Sequence, residues 1–387
     1  MAEVTNYIDR LVAELCPEGV EYRPLGEICA IRAGGDLPES YVKGQKEPSD
    51  LYPYPIYSNG SEEKALYGYA STYRAEGPAV TVSARGTIGY HAVRYGKFTP
   101  IVRLITLKPS IENLDIKFLD YCLGVIDISH SGGSIPQLTV PNLKKMEIPV
   151  PPMEVQEAIV EILDKFTNLE AELEAELEAR TLQYEYYRDS LFEALNCPRN
   201  PLGSFAQYSK DRKKDDSTVS VYVGVENLKS DFQGCTPTES TNPGVVFQKG
   251  DILLGNIRPY LKKMWRADSD GVASPDVLVI RIRDEFSEKI SSRYLYHLLA
   301  SNEFVGYNVA HSRGGKMPRG NKAKILEFEV PVPSLEEQQR IVDILDRFDA
   351  LTSSLSEGLP AELAARRSQY EYYRNQLLTF PRKGENQ

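Results

Sequence analysis

No apolar run in this 387-residue sequence is long enough to span a bilayer. The first nineteen residues, MAEVTNYIDRLVAELCPEG, have neither a basic start nor an apolar stretch behind it. They read as a short amphipathic helix and not as a secretory leader. Cysteine is sparse and scattered. Cys16, Cys29, Cys122, Cys197 and Cys235 form no C-x-x-C pair, which points to a reducing cytoplasm and argues against disulfides or zinc. The four histidines, His91, His130, His297 and His311, lack metal-ligand spacing. Neither the phosphate-cradling G-x-x-x-x-G-K-[ST] nor a G-x-G-x-x-G after a strand is present. The Asn/Asp-Pro-Pro-aromatic tetrapeptide of amino-methyltransferases is missing too. Pro275-Asp276 opens a nuclease-like pattern, but no suitably placed (D/E)-x-K completes it. A resident metal, a bound cofactor and a catalytic centre are therefore not expected.

What the sequence has instead is a duplication. EIPVPPMEVQEAIVEILDKF at 147–166 returns as EVPVPSLEEQQRIVDILDRF at 329–348, an offset of 182 residues. QYEYYR at 183–188 returns at 369–374, and Pro24-Leu25-Gly26 returns as Pro201-Leu202-Gly203. The period is too long for a solenoid. It implies two copies of a domain followed by a helix. The expected boundaries are an N-terminal helix at 1–23, a first globular domain at 24–152, a central spacer helix at 153–199, a second domain at 200–333 and a C-terminal spacer helix at 334–387.

Each globular part mixes strand and helix patterns and is rich in Gly, Pro and Tyr, so the fold class is mixed α/β (α+β). Ala79–Ser83, Ile101–Leu107 and Val277–Ile282 read as strands, and Ile116–Ile126 and Ser291–Leu299 as helices. Ser334-Leu335-Glu336-Glu337 opens the last helical segment as a capping box, a place that Pro152 takes in the first copy. Apolar residues at threes and fours, such as Ile162, Phe166, Leu169, Leu173 and Leu177, mark one face of a helix of roughly 60 Å. Connectivity predicts that the two long helices run antiparallel as a coiled coil between the domains, about a pseudo-twofold axis. The N-terminal helix then meets the returning C-terminus. Phe166 to Tyr184 is 18 residues and Phe348 to Tyr370 is 22, so the second copy has four more. They fall near Gly358-Leu359-Pro360, where an interior proline predicts a kink or break.

The formal charge of −10 is uneven. Residues 24–150 are neutral, 201–333 carry +3, and the helical stretch 151–200 carries −8. The acid lies on the helices, and the domains are free to offer a basic face to phosphates. A merely solvated helix surface explains the same numbers.

Two glycine-supported segments recur in each domain. Ser83–Tyr90 offers Arg85, Thr87 and Tyr90. Gly255–Lys263 offers Asn256, Arg258, Tyr260, Lys262 and Lys263. Such residues on a tight turn suit base edges and phosphates, though an ordinary strand turn remains open. The second pair is Ser131–Gln137, with Ser134 and Gln137, and Ser312–Arg319, with Arg313, Lys316 and Arg319, backed by Lys322. Glycines there let backbone amides approach a phosphate. In the QYEYYR elements, Tyr184, Tyr187, Tyr370 and Tyr373 fit either helix core or a partner-docking face.

These two loops, the paired E-[IV]-P-V-P…Q…I-V-x-I-L-D-x-F segments, both QYEYYR elements and GLPAEL at 358–363 resemble the specificity subunits of type I restriction–modification systems. The resemblance covers essentially the whole chain. It implies a non-catalytic, cytoplasmic DNA-binding subunit with two target-recognition domains, each reading half of a split, asymmetric site in double-stranded DNA. The helices then set the gap and bind two methyltransferase subunits through the four tyrosines, and restriction subunits (translocase and nuclease) join the full complex. S-adenosylmethionine is expected on the methyltransferase partner and no cofactor on this chain. Two other readings are a self-sufficient DNA methyltransferase or nuclease, and a coiled-coil scaffold without a DNA role.

Overall fold

Four antiparallel strands form the centre of the first half: Cys29–Ala33 (β1), Ala79–Ser83 (β2), His91–Arg94 (β3) and Leu104–Pro109 (β4), in the order β1-β4-β2-β3. The second half repeats them as Ala206–Tyr208 (β5), Ile252–Gly255 (β6), Met264–Arg266 (β7) and Val277–Ile282 (β8), in the order β5-β8-β6-β7. All of β2 and β6 is buried, as their β-branched and aliphatic runs require. β4 starts at Leu104 and not at Ile101, because Ile101–Leu104 is a turn with Arg103 left-handed at φ 70°.

The computed structural model describes residues 2–126, 138–214, 218–353 and 358–384. It divides into two units, Met1–Ala171 with Ala365–Gln387, and Glu172–Ala364. Each unit also holds a second sheet with a shared centre. In the first, Tyr54–Tyr57 runs parallel to Lys97–Pro100 and is flanked by Leu66–Ala70, with Ala75–Glu76 on the far side. In the second, Ser220–Val223 runs parallel to Gly271–Ala273, flanked by Thr238–Ser240 and Gly244–Phe247. The fifth strand is added at opposite edges: Tyr41–Lys43 beside Leu66–Ala70, but Arg212–Lys213 beside Gly244–Phe247.

The repeated tripeptide has a structural cause. Leu25 and Leu202 are fully buried, and their amides donate to the Met146 and Phe328 carbonyls at 2.8 Å in each case. A Cβ on Gly26 or Gly203 would stand only 3.0 Å from Lys144 Cβ or 3.2 Å from Leu326 Cβ. The short helices Val140–Lys145 and Lys322–Glu327 pack that closely.

The central helix runs Met153–Glu193, and the C-terminal segment forms two helices, Leu335–Ser353 and Leu359–Leu377. The break expected near Gly358–Pro360 is there, with Gly358 at φ 84°. Ser334 Oγ accepts the Glu337 amide, but the Glu337 carboxylate pairs with Arg340, so only half of the capping box forms. The predicted stripe on the central helix is half-buried. Val155, Ile159 and Leu163, one helical turn apart, are fully buried and face the first domain's core.

Two polar residues of the repeated motif fasten each helix to its domain. Gln156 Oε1 accepts the Asp115 amide, and its Nε2 donates to the Asn113 and Pro151 carbonyls. Gln338 makes the same three bonds, to the Ser291 amide and the Lys289 and Pro333 carbonyls. Asp164 accepts from Lys117 Nζ (2.6 Å) and Tyr121 Oη (2.7 Å). Its equivalent, Asp346, holds Arg293 (2.6 Å) and His297 (2.7 Å), again four residues apart on a helix. Gln156→Ala leaves one buried amide and two carbonyls unpaired, at an expected cost of about 2–3 kcal/mol. Hydrogen exchange should show lost protection in Ile116–Leu123 and none in Ser292–Leu299, and Gln338→Ala should show the reverse.

The chain ends meet within the first unit. Val20 donates to the Pro381 carbonyl (2.8 Å) and accepts from the Lys383 amide (3.0 Å), while Tyr22 and Phe380 exchange hydrogen bonds at 3.2 Å. Ile8, Leu377, Leu378 and Phe380 join the same core. No helix among the described residues is long and apolar enough to cross a membrane.

Candidate nucleic-acid interface

In the second unit, β6 ends at Gly255 and β7 begins at Met264. The chain between them turns through Pro259–Leu261, framed by left-handed Arg258 and Lys262, both at φ 51°. This turn carries the basic segment that follows fifty residues later. The Arg258 amide donates to the Pro318 carbonyl (2.7 Å), and Gly320 donates to the Asn256 carbonyl (3.0 Å). Arg313 and Arg319 exchange two backbone bonds of 2.8 Å, which folds residues 313–319 into a small hairpin seated on the turn. Two segments that are distant in sequence thus form one surface.

The candidates separate by direction. Arg313, Lys316, Arg319, Lys322 and Tyr260 are exposed, and Arg258 is half-buried. Arg319 is oriented by Asp276, 3.2 Å away, a charge-assisted pair that still leaves it more than half exposed. Asn256, Lys262 and Lys263 turn inward. Asn256 follows β6 directly and is still in the core. Left-handed Lys262 reverses the chain, so its Nζ lies 3.4 Å from Glu185, and Lys263 Nζ donates to the Val225 carbonyl (2.8 Å).

The first unit repeats the backbone pairing at the base of this surface. Leu104 stands opposite Ser83 as Val277 stands opposite Gly255. The Ala84 amide donates to the Arg103 carbonyl as Asn256 does to Asp276, both at 2.9 Å. Leu138 donates to Ala84 as Gly320 does to Asn256, both at 3.0 Å. The loop itself turns on Gly86 (φ 78°) and Gly89 (φ 85°). Arg85 is half-buried, with its carbonyl accepting from Asn59 Nδ2; Thr87 Oγ1 donates to the Asn59 carbonyl, and Tyr90 is half-buried at the end of the ladder. Ser134 and Gln137 lie outside the described residues.

Asn59 was not legible in the sequence as part of this loop, because it belongs to the other sheet's turn. Backbone strain supplies a signal independent of side-chain type. Six non-glycine residues among those described have a left-handed φ: Glu62, Arg103, Asp231, Phe232, Arg258 and Lys262. Arg258 and Lys262 frame one loop, and Asp231 and Phe232 donate to the Leu261 and Lys262 carbonyls beside it. Arg103 bonds the base of the other loop, and Glu62 sits in the turn that carries Asn59. Such conformations cost of order 1–3 kcal/mol each and concentrate at functional sites.

The family model described as the type I restriction modification DNA specificity domain matches residues 17–179 and again 205–365. The chain belongs to this family. A specificity subunit of a type I restriction enzyme of Escherichia coli is 28% identical over 97% of this chain and 98% of its own length. One from Mycoplasma pneumoniae is 39% identical over 44% of this chain and 52% of that protein. The fold matches a subunit from a solved type I restriction–modification assembly with a TM-score of 0.61, at 16% identity, covering 93% and 97% of the two chains. The Mycoplasma genitalium specificity subunit gives a TM-score of 0.54 at 17% identity, covering 93% and 96%. As a specificity-family member the chain is the DNA-recognition component and not a catalytic one.

In this specificity fold the QYEYYR elements serve the same packing twice. Tyr370 and Tyr373 lie on Phe166, and Tyr184 and Tyr187 on Phe348. In the first unit Arg367 pairs with Glu170 at 2.6 Å, so the two helices there run antiparallel. Burial pushes the Tyr184 and Tyr370 phenols up, as expected for rings in a helix seam. Tyr186 (70% exposed) and Tyr372 (58%) face outward, one residue before Tyr187 and Tyr373, and Tyr187 stays 43% exposed even where it stacks on Phe348. Among the described residues no group of three or more His, Cys, Asp or Glu could hold a metal ion.

Proposed function

We propose that this chain reads a split, asymmetric target in double-stranded DNA, one half with each loop system, while its helices set the gap and dock two methyltransferase subunits. The observation that carries this is that the two loop systems share the backbone pairing at their base but not their chemistry. The second presents Arg313, Lys316 and Arg319 on its hairpin. The first presents Arg85 on a glycine turn buttressed by Asn59. One backbone frame with two sets of side chains suits two different half-sites. Binding of S-adenosylmethionine belongs, in this reading, to the methyltransferase, and restriction subunits join the assembly afterwards. The cysteines are all unpaired, in keeping with the cytoplasm as the working compartment.

The test is to assemble the chain with the methyltransferase of its own system and map methylated positions on DNA. The expected target has two dissimilar specified halves around unspecified bases. A continuous palindrome would overturn the reading. Methylation or cleavage by the purified chain alone, given S-adenosylmethionine or a divalent metal, would make it an enzyme in its own right.

A further inference from the structure

We propose that Arg103 is a DNA-contacting, specificity-determining residue of the first loop system, an inference that rests on reading these loops as the DNA-binding face. Arg103 occupies the position of Asp276: each directly precedes the residue paired with the end of the central strand, and each carbonyl receives the first loop amide at 2.9 Å. In the second unit that position is already engaged with the surface, because Asp276 orients Arg319. In the first unit the charge is reversed. The Arg103 side chain is exposed, and no ion pair or hydrogen bond involves it among the described residues.

Its backbone is fixed from both sides. Leu104 closes the turn onto Ile101 at 3.1 Å, and Gly34 and Gly35 donate to the Leu104 and Pro100 carbonyls. Within this frame Arg103 is held at φ 70°, a conformation that glycine adopts at no steric cost. A turn selected for stability alone has no use for arginine there. A rigid turn that presents an exposed, unpaired guanidinium from the base of the loop carrying Arg85 and Thr87 does, since the planar fork reads guanine edges or grips phosphate.

The same substitution separates the two roles. In the full chain assembled with its methyltransferase, Arg103→Gly should keep or raise the melting temperature. It should also weaken binding by about 10- to 100-fold to duplexes that the wild type enriches from a randomised DNA library. Base preference should relax in one half of the target only. Arg103→Lys should recover part of the affinity without the preference. Weaker binding with unchanged base preference in Arg103→Gly would reduce Arg103 to a phosphate-gripping charge and overturn the specificity role. Wild-type binding and preference in Arg103→Gly would leave it a turn residue. Arg313→Ala is the control: if it too changes nothing, or if the wild type enriches no sequence, the reading of both loops fails rather than the assignment of Arg103.

Discussion

Replacing Arg313, Lys316 and Arg319 together by alanine is expected to weaken DNA binding by about a hundredfold to a thousandfold. All three are exposed on one short hairpin whose backbone is pinned to the turn after β6. The loss should shrink as salt rises, because the slope of log affinity against log salt should fall by about one for each phosphate contact removed. The single variants should differ. Lys316→Ala removes one charge. Arg319→Ala also frees the Asp276 carboxylate from its pair, leaving a negative charge on the binding face. Arg319→Ala should therefore be the worse of the two, and adding Asp276→Ala should restore part of the loss. Anisotropy titrations across a salt series would measure this. Unchanged affinity in the triple variant would remove the hairpin from the interface.

The largest effect on stability is expected from Asp346→Ala, about 2–4 kcal/mol in the second unit. The carboxylate is the partner of His297, which is only 1% exposed, and of Arg293. Removing it strands a buried imidazole and lets a cation lose its mate. Asp164→Ala should cost less, because Lys117 is nearly half exposed and water can replace the lost contact. Burial pushes the Asp346 carboxyl up, but hydrogen bonds from His297 and Arg293 outweigh it and hold the group below its ordinary value of 3.8. The ionised form is thus favoured by folding. Its contribution is complete above that ordinary value and is lost as pH falls through the lower folded one. Acid unfolding of the wild type should therefore begin in the second unit at a pH that Asp346→Asn shifts, while stability near neutrality carries no dependence from this group. Denaturation curves at pH 3 to 7 followed by unit-specific hydrogen exchange would show it.

The repeats were legible because burial enforces them. Leu25 and Leu202, Gln156 and Gln338, and Asp164 and Asp346 each occupy one environment twice, and few other side chains fit. The helix break was legible from Gly358 and Pro360, whose backbone demands are local. The direction of the loop residues was not. Lys262 and Lys263 turn inward on a turn framed by left-handed Arg258 and Lys262, while Lys316 sits on an exposed hairpin, and no residue type announces either. Asn59 and Arg103 are not legible for a related reason. They belong to turns at the ends of other strands, and hydrogen bonds between turns leave no spacing in the chain. The tyrosines were legible, because a spacing of three on a helix puts Tyr184 with Tyr187 and Tyr370 with Tyr373 on the face that meets Phe348 and Phe166.

The core that holds Leu25, Val155 and Ile159 also holds Leu377, Leu378 and Phe380. The second unit, Glu172–Ala364, is one uninterrupted stretch, whereas the first needs Ala365–Gln387 as well. On the ribosome these requirements run against the order of synthesis. About 190 residues separate the two pieces of the first unit, which at roughly 5–20 residues per second is about 10–40 s of waiting. During that time the surfaces that receive the last helix stay open on a nascent chain, and the second unit has everything it needs to close. The half that is made first is the half that is finished last.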